Sequence, residues 1–202
     1  SKRISELIVQ GFHEQSLKNN KTIFLMVRFG NVLNSSGSVI PLFRDQIKNG
    51  GPITLTHENM VRYFMSISEA VQLVIQAVFL TNGGEIFLLD MGEPMKIKDL
   101  AIQMINLSGL SVKNDENING DIEIKCTGLR QGEKLFEELL IDGNSKKTEN
   151  PLIFVGVEKS IPFDELLSKL NKLEKALLNL NQQESFIILA DLVPEWNIYD
   201  IK

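Results

Sequence analysis

The stretch Thr127-Gly128-Leu129-Arg130-Gln131-Gly132-Glu133-Lys134-Leu135 concentrates the side chains best suited to chemistry in this 202-residue chain. Two glycines flank a lone arginine, and a glutamate follows it three residues on. Glycine lets the backbone approach a ligand where a Cβ would clash. A guanidinium held on such a turn is a planar fork for phosphate oxygens. The Glu133 carboxylate can accept hydrogen bonds from the vicinal hydroxyls of a sugar. The same spacing also describes a solvated Arg130–Glu133 ion pair, and the residues alone leave both readings open.

The elements that must position this turn are legible around it. Ile122-Glu123-Ile124-Lys125-Cys126 alternates and predicts a strand, and Leu135 to Leu140 predicts a helix. Far upstream, Thr22 to Val27 is an unbroken apolar run, which fits a strand of a parallel sheet covered on both faces. It stops at Arg28-Phe29-Gly30-Asn31, ahead of the small polar cluster Asn34 to Ser38. Ligands of open α/β sheets bind past the carboxyl ends of strands, so this junction is a second candidate site. Ser38 is the predicted N-cap of a helix over 39–48, with Pro41 in its first turn. Its free N–H groups suit a diphosphate, although an ordinary capped helix has the same signature.

The rest of the chain alternates in the same way. A helix is predicted over 3–17 on Ile4, Leu7, Ile8 and Phe12, and a short strand over 53–56. An extended run at 62–67 leads into a helix with Val71, Val74, Ile75 and Val78 inward. A strand over 85–90 precedes a helix over 97–107, whose inner residues are Leu100, Ala101, Met104 and Ile105. Residues 111–120 and 142–151 read as loops, 152–157 as a last strand, and 163–180 as a helix on Leu166, Leu167, Leu170, Leu173 and Leu177. A further helix is predicted near 184–192. The pattern is that of an α/β domain missing its beginning.

Bulk properties narrow the function classes. With 43% hydrophobic and 23% charged residues the chain can bury a core. A net charge of -5 with no basic block argues against nucleic-acid or anionic-membrane partners. Cys126 is the single cysteine and reads as a small buried apolar residue, which suits a reducing, cytoplasmic compartment. His13 and His57 have no further ligand at metal spacing, so no metal is expected. No apolar run is long enough to span a membrane.

Five segments together resemble one family. They are Arg28-Phe29-Gly30-Asn31-Val32, Gly37-Ser38-Val39-Ile40-Pro41, Arg62-Tyr63-Phe64-Met65 with Ser68-Glu69-Ala70, Gly84 to Pro94, and the opening turn. The chain is similar to the polysaccharide-biosynthesis UDP-N-acetylglucosamine 4,6-dehydratases, extended short-chain dehydrogenase/reductases. The likeness runs in order to Leu192-Val193-Pro194-Glu195-Trp196. It implies a Rossmann-type α/β fold, NAD or NADP as cofactor and a UDP-sugar as substrate. It further implies that Asn31 and the backbone of Ser38 and Val39 contact the diphosphate, and that Arg62 and Arg130 pair with phosphate oxygens. Glu133 would hold the uridine ribose, and Ile53 to Leu55 would line the uracil. Ser1-Lys2-Arg3 fits the close of the active-site motif, making Lys2 the catalytic lysine that also holds the nicotinamide ribose.

The departures set the remaining expectations. The family's Gly-x-x-Gly-x-x-Gly fingerprint and Thr-Asp-Lys stretch are missing from this chain, and Gln131 stands where proline is common. The expected organisation is residues 1–150 as the last Rossmann elements with the UDP-sugar-binding subdomain, and 151–202 as a strand and helical tail. The expected whole is a 4,6-dehydratase of bacterial surface-glycan synthesis, homo-oligomeric through the first helix, with this chain inactive alone. A UDP-sugar 4-epimerase and a non-catalytic binding or assembly module are the alternatives.

Overall fold

The computed structural model describes residues 2–18, 22–35, 37–130, 132–137 and 145–196. In chain order the first elements are α1 (Lys2–Leu17), β1 (Met26–Arg28), β2 (Asn31–Val32), α2 (Val39–Lys48), β3 (Ile53–Leu55), β4 (Val61–Arg62), β5 (Phe64–Met65), α3 (Ile67–Leu80) and β6 (Ile86–Leu89). They are followed by β7 (Met95–Lys96), α4 (Ile97–Leu107), β8 (Val112–Lys113), β9 (Ile122–Cys126), β10 (Ser145–Lys147), β11 (Ile153–Gly156), α5 (Phe163–Leu178) and α6 (Gln182–Leu192). The chain forms two compact units, one from residues 1–28, 73–90 and 139–202, the other from 29–72 and 91–138. Each unit is therefore assembled from separate stretches of the chain.

The first unit holds a mixed sheet in the order β1-β6-β11-β10. Every residue of β6 is buried, as its unbroken Ile-Phe-Leu-Leu run requires of a central strand. It pairs parallel with β1 and antiparallel with β11, so that Val27 and Val155 flank Phe87. β1 is shorter than its apolar run predicts and only half-buried, because it ends the ladder with one partner. α1, α5 and α6 pack together on Leu7, Leu166, Leu173 and Leu192. Gly11 permits the approach of α5: a Cβ there would lie 2.7 Å from the Phe163 ring. The predicted leucine stripe of α5 divides, with Leu166, Leu170 and Leu173 inward but Leu167 and Leu177 exposed. Ala176 takes the buried place in the last turn.

α3 also turns a different face from the one expected. Ala70, Leu73 and Ala77 are buried, while Val71, Ile75 and Val78 are each at least half exposed. The helix is apolar around most of its circumference, so periodicity does not single out a side. After α3, His13 is buried against the Gly83-Gly84 turn, where Gly83 has φ +110° and Gly84 φ +80°. A Cβ on Gly83 would stand 2.0 Å from His13 Cε1. Gly83→Ala is thus expected to combine left-handed strain with overpacking and to lower stability by at least about 2 kcal/mol. A thermal melt unchanged within a degree would refute this.

The second unit is built on the parallel sheet β3-β9-β8 with α2 and α4 against it. Its core includes Phe43, Ile47, Ile53, Leu55, Met60, Ile97, Ala101, Ile105 and Ile122. Two short ladders, β2 with β5 and β4 with β7, complete it. Burial fades along β9 from Ile122 to its last residue, so Cys126 is exposed and not the buried apolar residue expected. Leu135 to Glu137 are not helical, and the remainder of that predicted helix lies outside the described residues. The carbonyls that would start it are engaged elsewhere: Leu135 O accepts the Val61 N–H at 3.2 Å, and Lys134 O accepts from the Arg62 guanidinium at 2.8 Å. Among the described residues, no helix is long and apolar enough to cross a membrane.

Candidate functional site

A cavity of about 410 Å³ opens in the second unit where β3 and β9 end and α2 begins. Asn31, Ser38, Val39, Leu55, Arg62, Arg130 and Glu133 all line it. Ile53 does not: it is fully buried in the core. Lys2 belongs to the other unit, where it opens α1 as an exposed side chain.

α2 starts as the sequence predicts, with Ser38 extended at φ -79°, ψ 171°. The Ser38 hydroxyl nevertheless makes no capping bond to its helix. Oγ is buried and has no hydrogen-bond partner. A hydroxyl buried in that state costs about 1–3 kcal/mol, which a ligand oxygen could recover. The start of a helix also offers free N–H groups, and the helix dipole adds partial positive charge.

The opposite wall is the Arg130 turn. Gly128 at φ +93° and Gly132 at φ +74° occupy the left-handed region that side chains avoid, which explains the glycine spacing. The turn is tied to the end of β3, since Thr127 donates to Leu55 O through its N–H at 2.7 Å and its hydroxyl at 3.1 Å. Glu133 Oε2 accepts the Arg130 N–H at 3.1 Å, and Oε1 accepts from the Thr56 hydroxyl at 3.2 Å. The carboxylate thus braces the backbone of the turn. The solvated side-chain pair between Arg130 and Glu133 is not formed. Among the described residues the Arg130 guanidinium has no hydrogen bond or ion pair, so its planar fork is available at the cavity.

Arg62 is used differently. Its guanidinium donates to Val61 O at 2.7 Å, Leu135 O at 3.2 Å and Lys134 O at 2.8 Å, and it pairs with Glu137 at 3.3 Å. Most of its five donors therefore hold the segment after the turn. Glu137 Oε1 also accepts from Asn31 Nδ2 at 3.5 Å. Thr54 and Thr127, which lie within segments the sequence pointed to, line the cavity as well, and so does Thr56, which was not singled out from sequence. The alternation Ile53-Thr54-Leu55-Thr56 carried the signal, with its threonines opposite the core residues.

Residues 1–158 match the polysaccharide biosynthesis protein family. The capsular polysaccharide biosynthesis protein CapD of Staphylococcus aureus is 56% identical over 140 residues, 69% of this chain and 22% of that protein. A UDP-glucose 4-epimerase of Rickettsia rickettsii is 30% identical over 193 residues, 88% of this chain and 52% of that protein. Among solved structures, Pen from Bacillus thuringiensis matches with a TM-score of 0.61 at 30% identity, over 89% of this chain and 55% of its own. The chain thus spans between about a fifth and about half of these relatives. The fold is the Rossmann-type α/β fold of the extended short-chain dehydrogenase/reductases. Residues from 159 onward lie beyond the family match. On a match that takes in α1 through β11 and every wall of the cavity, the chain belongs to the polysaccharide biosynthesis protein family.

Proposed function

We propose that the cavity binds the nucleoside diphosphate of a nucleotide sugar, as part of an enzyme that modifies such sugars for surface-glycan synthesis. The observation that carries this reading is the unpartnered, buried Ser38 hydroxyl at the start of α2, in one cavity with the uncommitted Arg130 fork. An orphan hydroxyl, helix N–H groups and a guanidinium form a donor set for phosphate oxygens. Glu133, its orientation set by Thr56 and the turn, offers lone pairs to ribose hydroxyls. The partner is a UDP-sugar, and the transformation of the longer relatives that we favour is 4,6-dehydration of UDP-N-acetylglucosamine. Epimerisation at C4 is the second reading, supported by the likeness to the Rickettsia epimerase. Loss of water from the product separates the two.

Such a cycle uses NAD or NADP as a transient hydride acceptor. The described residues fit that group poorly, because Lys2 alone, exposed at the start of α1, cannot hold a dinucleotide. Binding is the testable core of the reading. Calorimetric titration of the 202-residue chain with UDP and UDP-N-acetylglucosamine should show saturable binding, and Arg130→Ala should weaken it by roughly tenfold or more. A folded chain that binds neither ligand, or a variant that binds as well as the parent, would remove the reading.

A further inference from the structure

Asn31 and Arg62 line the same cavity as Ser38 and Arg130, and a carboxylate is held against both of them. A single oxygen of Glu137 makes the two contacts. Oε1 accepts from Asn31 Nδ2 at 3.5 Å and pairs with Arg62 Nε at 3.3 Å. The nitrogens of a carboxamide and of a guanidinium only donate, so whatever sits between them must accept, and negative charge is favoured there. Carboxylate and phosphate oxygens meet that requirement alike.

The contact is also exchangeable. Arg62 Nη1 and Nη2 are committed to the carbonyls of Val61, Leu135 and Lys134, which belong to the backbone and stay where the fold puts them. Nε is turned to a side chain instead. That side chain is 28% exposed, so it can swing into water without unfolding its segment. An ion pair with such solvent access holds weakly, and the Asn31 bond is too long to add much. Ser38 Oγ and the Arg130 fork leave one part of the donor set open, while Glu137 fills the part made by Asn31 and Arg62. A diphosphate has oxygens for both parts. Resting on the nucleoside diphosphate reading, we infer that Glu137 is an internal stand-in for a ligand phosphate, holding Asn31 and Arg62 until the diphosphate displaces it. The observed affinity is then the intrinsic one reduced by the fraction of molecules in which Glu137 has swung away.

Calorimetric titration of the 202-residue chain and two variants with UDP tests the exchange. Glu137→Gln removes the charge and keeps the shape, which weakens the competitor. It is expected to bind UDP about three- to fivefold more tightly than the parent. Glu137→Asp keeps the charge on a side chain one methylene shorter, which no longer reaches both donors. It should gain at least about twofold. A gain by Glu137→Gln without one by Glu137→Asp would mean that the charge acts through space and occupies no position, and the stand-in would be overturned. Glu137→Gln binding no better than the parent, or worse, overturns it too, since that is the result for a carboxylate that only braces Asn31 and Arg62. In either case the parent still binds UDP and the phosphate site stands. A folded chain that binds UDP in none of these forms overturns the nucleoside diphosphate reading and the stand-in with it.

Discussion

Phe43→Ala is expected to cost about 3–5 kcal/mol of unfolding free energy, the range for removing a fully buried aromatic ring. Phe43 has no exposed surface and sits on the inner face of α2, in one core with Ile47, Ile53, Leu55, Met60, Ile97 and Ile105. Those neighbours come from two helices, a strand and the loop after it, so they cannot collapse on the void together, and the cavity term adds to the lost transfer energy. The same ring lines the proposed binding cavity, beside the helix start that carries Ser38. Stability and ligand affinity should therefore fall together. Phe43→Leu, which keeps most of the volume, should cost less than half as much. Urea unfolding followed by far-UV circular dichroism measures both through the midpoint at constant slope. A loss below 1 kcal/mol for the alanine variant would mean that the ring is not the keystone of this core.

Arg28→Ala carries the second large effect, in the other unit. The Arg28 guanidinium bonds Glu6 through two nitrogens, each at 2.6 Å, and Glu158 through two more contacts, one of them at 2.9 Å. Arg3 joins the same carboxylates, at 3.3 Å from Glu6 and 2.9 Å from Glu158. The cluster ties α1 to the end of β1 and to the segment after β11. Removing Arg28 leaves the two acids with Arg3 alone between them, and the Glu158 side chain is only 3% exposed. Breaking such a pair from one side costs about 3–5 kcal/mol when buried, and the partial exposure of Arg28 and Glu6 places this variant near the lower end.

The cluster also predicts a pH response. Burial pushes the Glu6 carboxyl up, but the hydrogen bond and charge of Arg28, with those of Arg3, more than reverse it and leave it below its ordinary 4.5. A carboxyl held low in the folded state binds its proton more readily when unfolded. Its contribution is complete above pH 4.5 and is lost as the pH falls through the folded value. Acid titration of stability should show this slope in the parent and a weaker one in Arg28→Ala. Equal acid slopes would show that Arg28 does not hold the Glu6 proton equilibrium.

Local rules made much of the fold and part of the site readable in advance. α2 and α4 begin and end where turn residues and the 3.6-residue period place them, and β6 is buried as its apolar run requires. The glycines at 128 and 132 announced a turn, and the structure gives both a positive φ. β7, β8 and β10 were invisible because two or three residues, at most one of them apolar, leave no hydrophobic alternation to read. The buried face of α3 was assigned to the wrong side for the opposite reason, since an all-round apolar helix has no periodic contrast. Residue types and spacing were enough for the sequence alone to determine the α/β pattern, the bounds of α2 and α4 and the glycine turn. Only the tertiary structure decided how those side chains are spent. It occupied Arg62 with backbone carbonyls, turned Glu133 onto its own loop and left Arg130 and the Ser38 hydroxyl open. Each outcome depends on groups up to 77 residues apart in the chain, and hydrogen-bond competition at that range leaves no trace in local sequence.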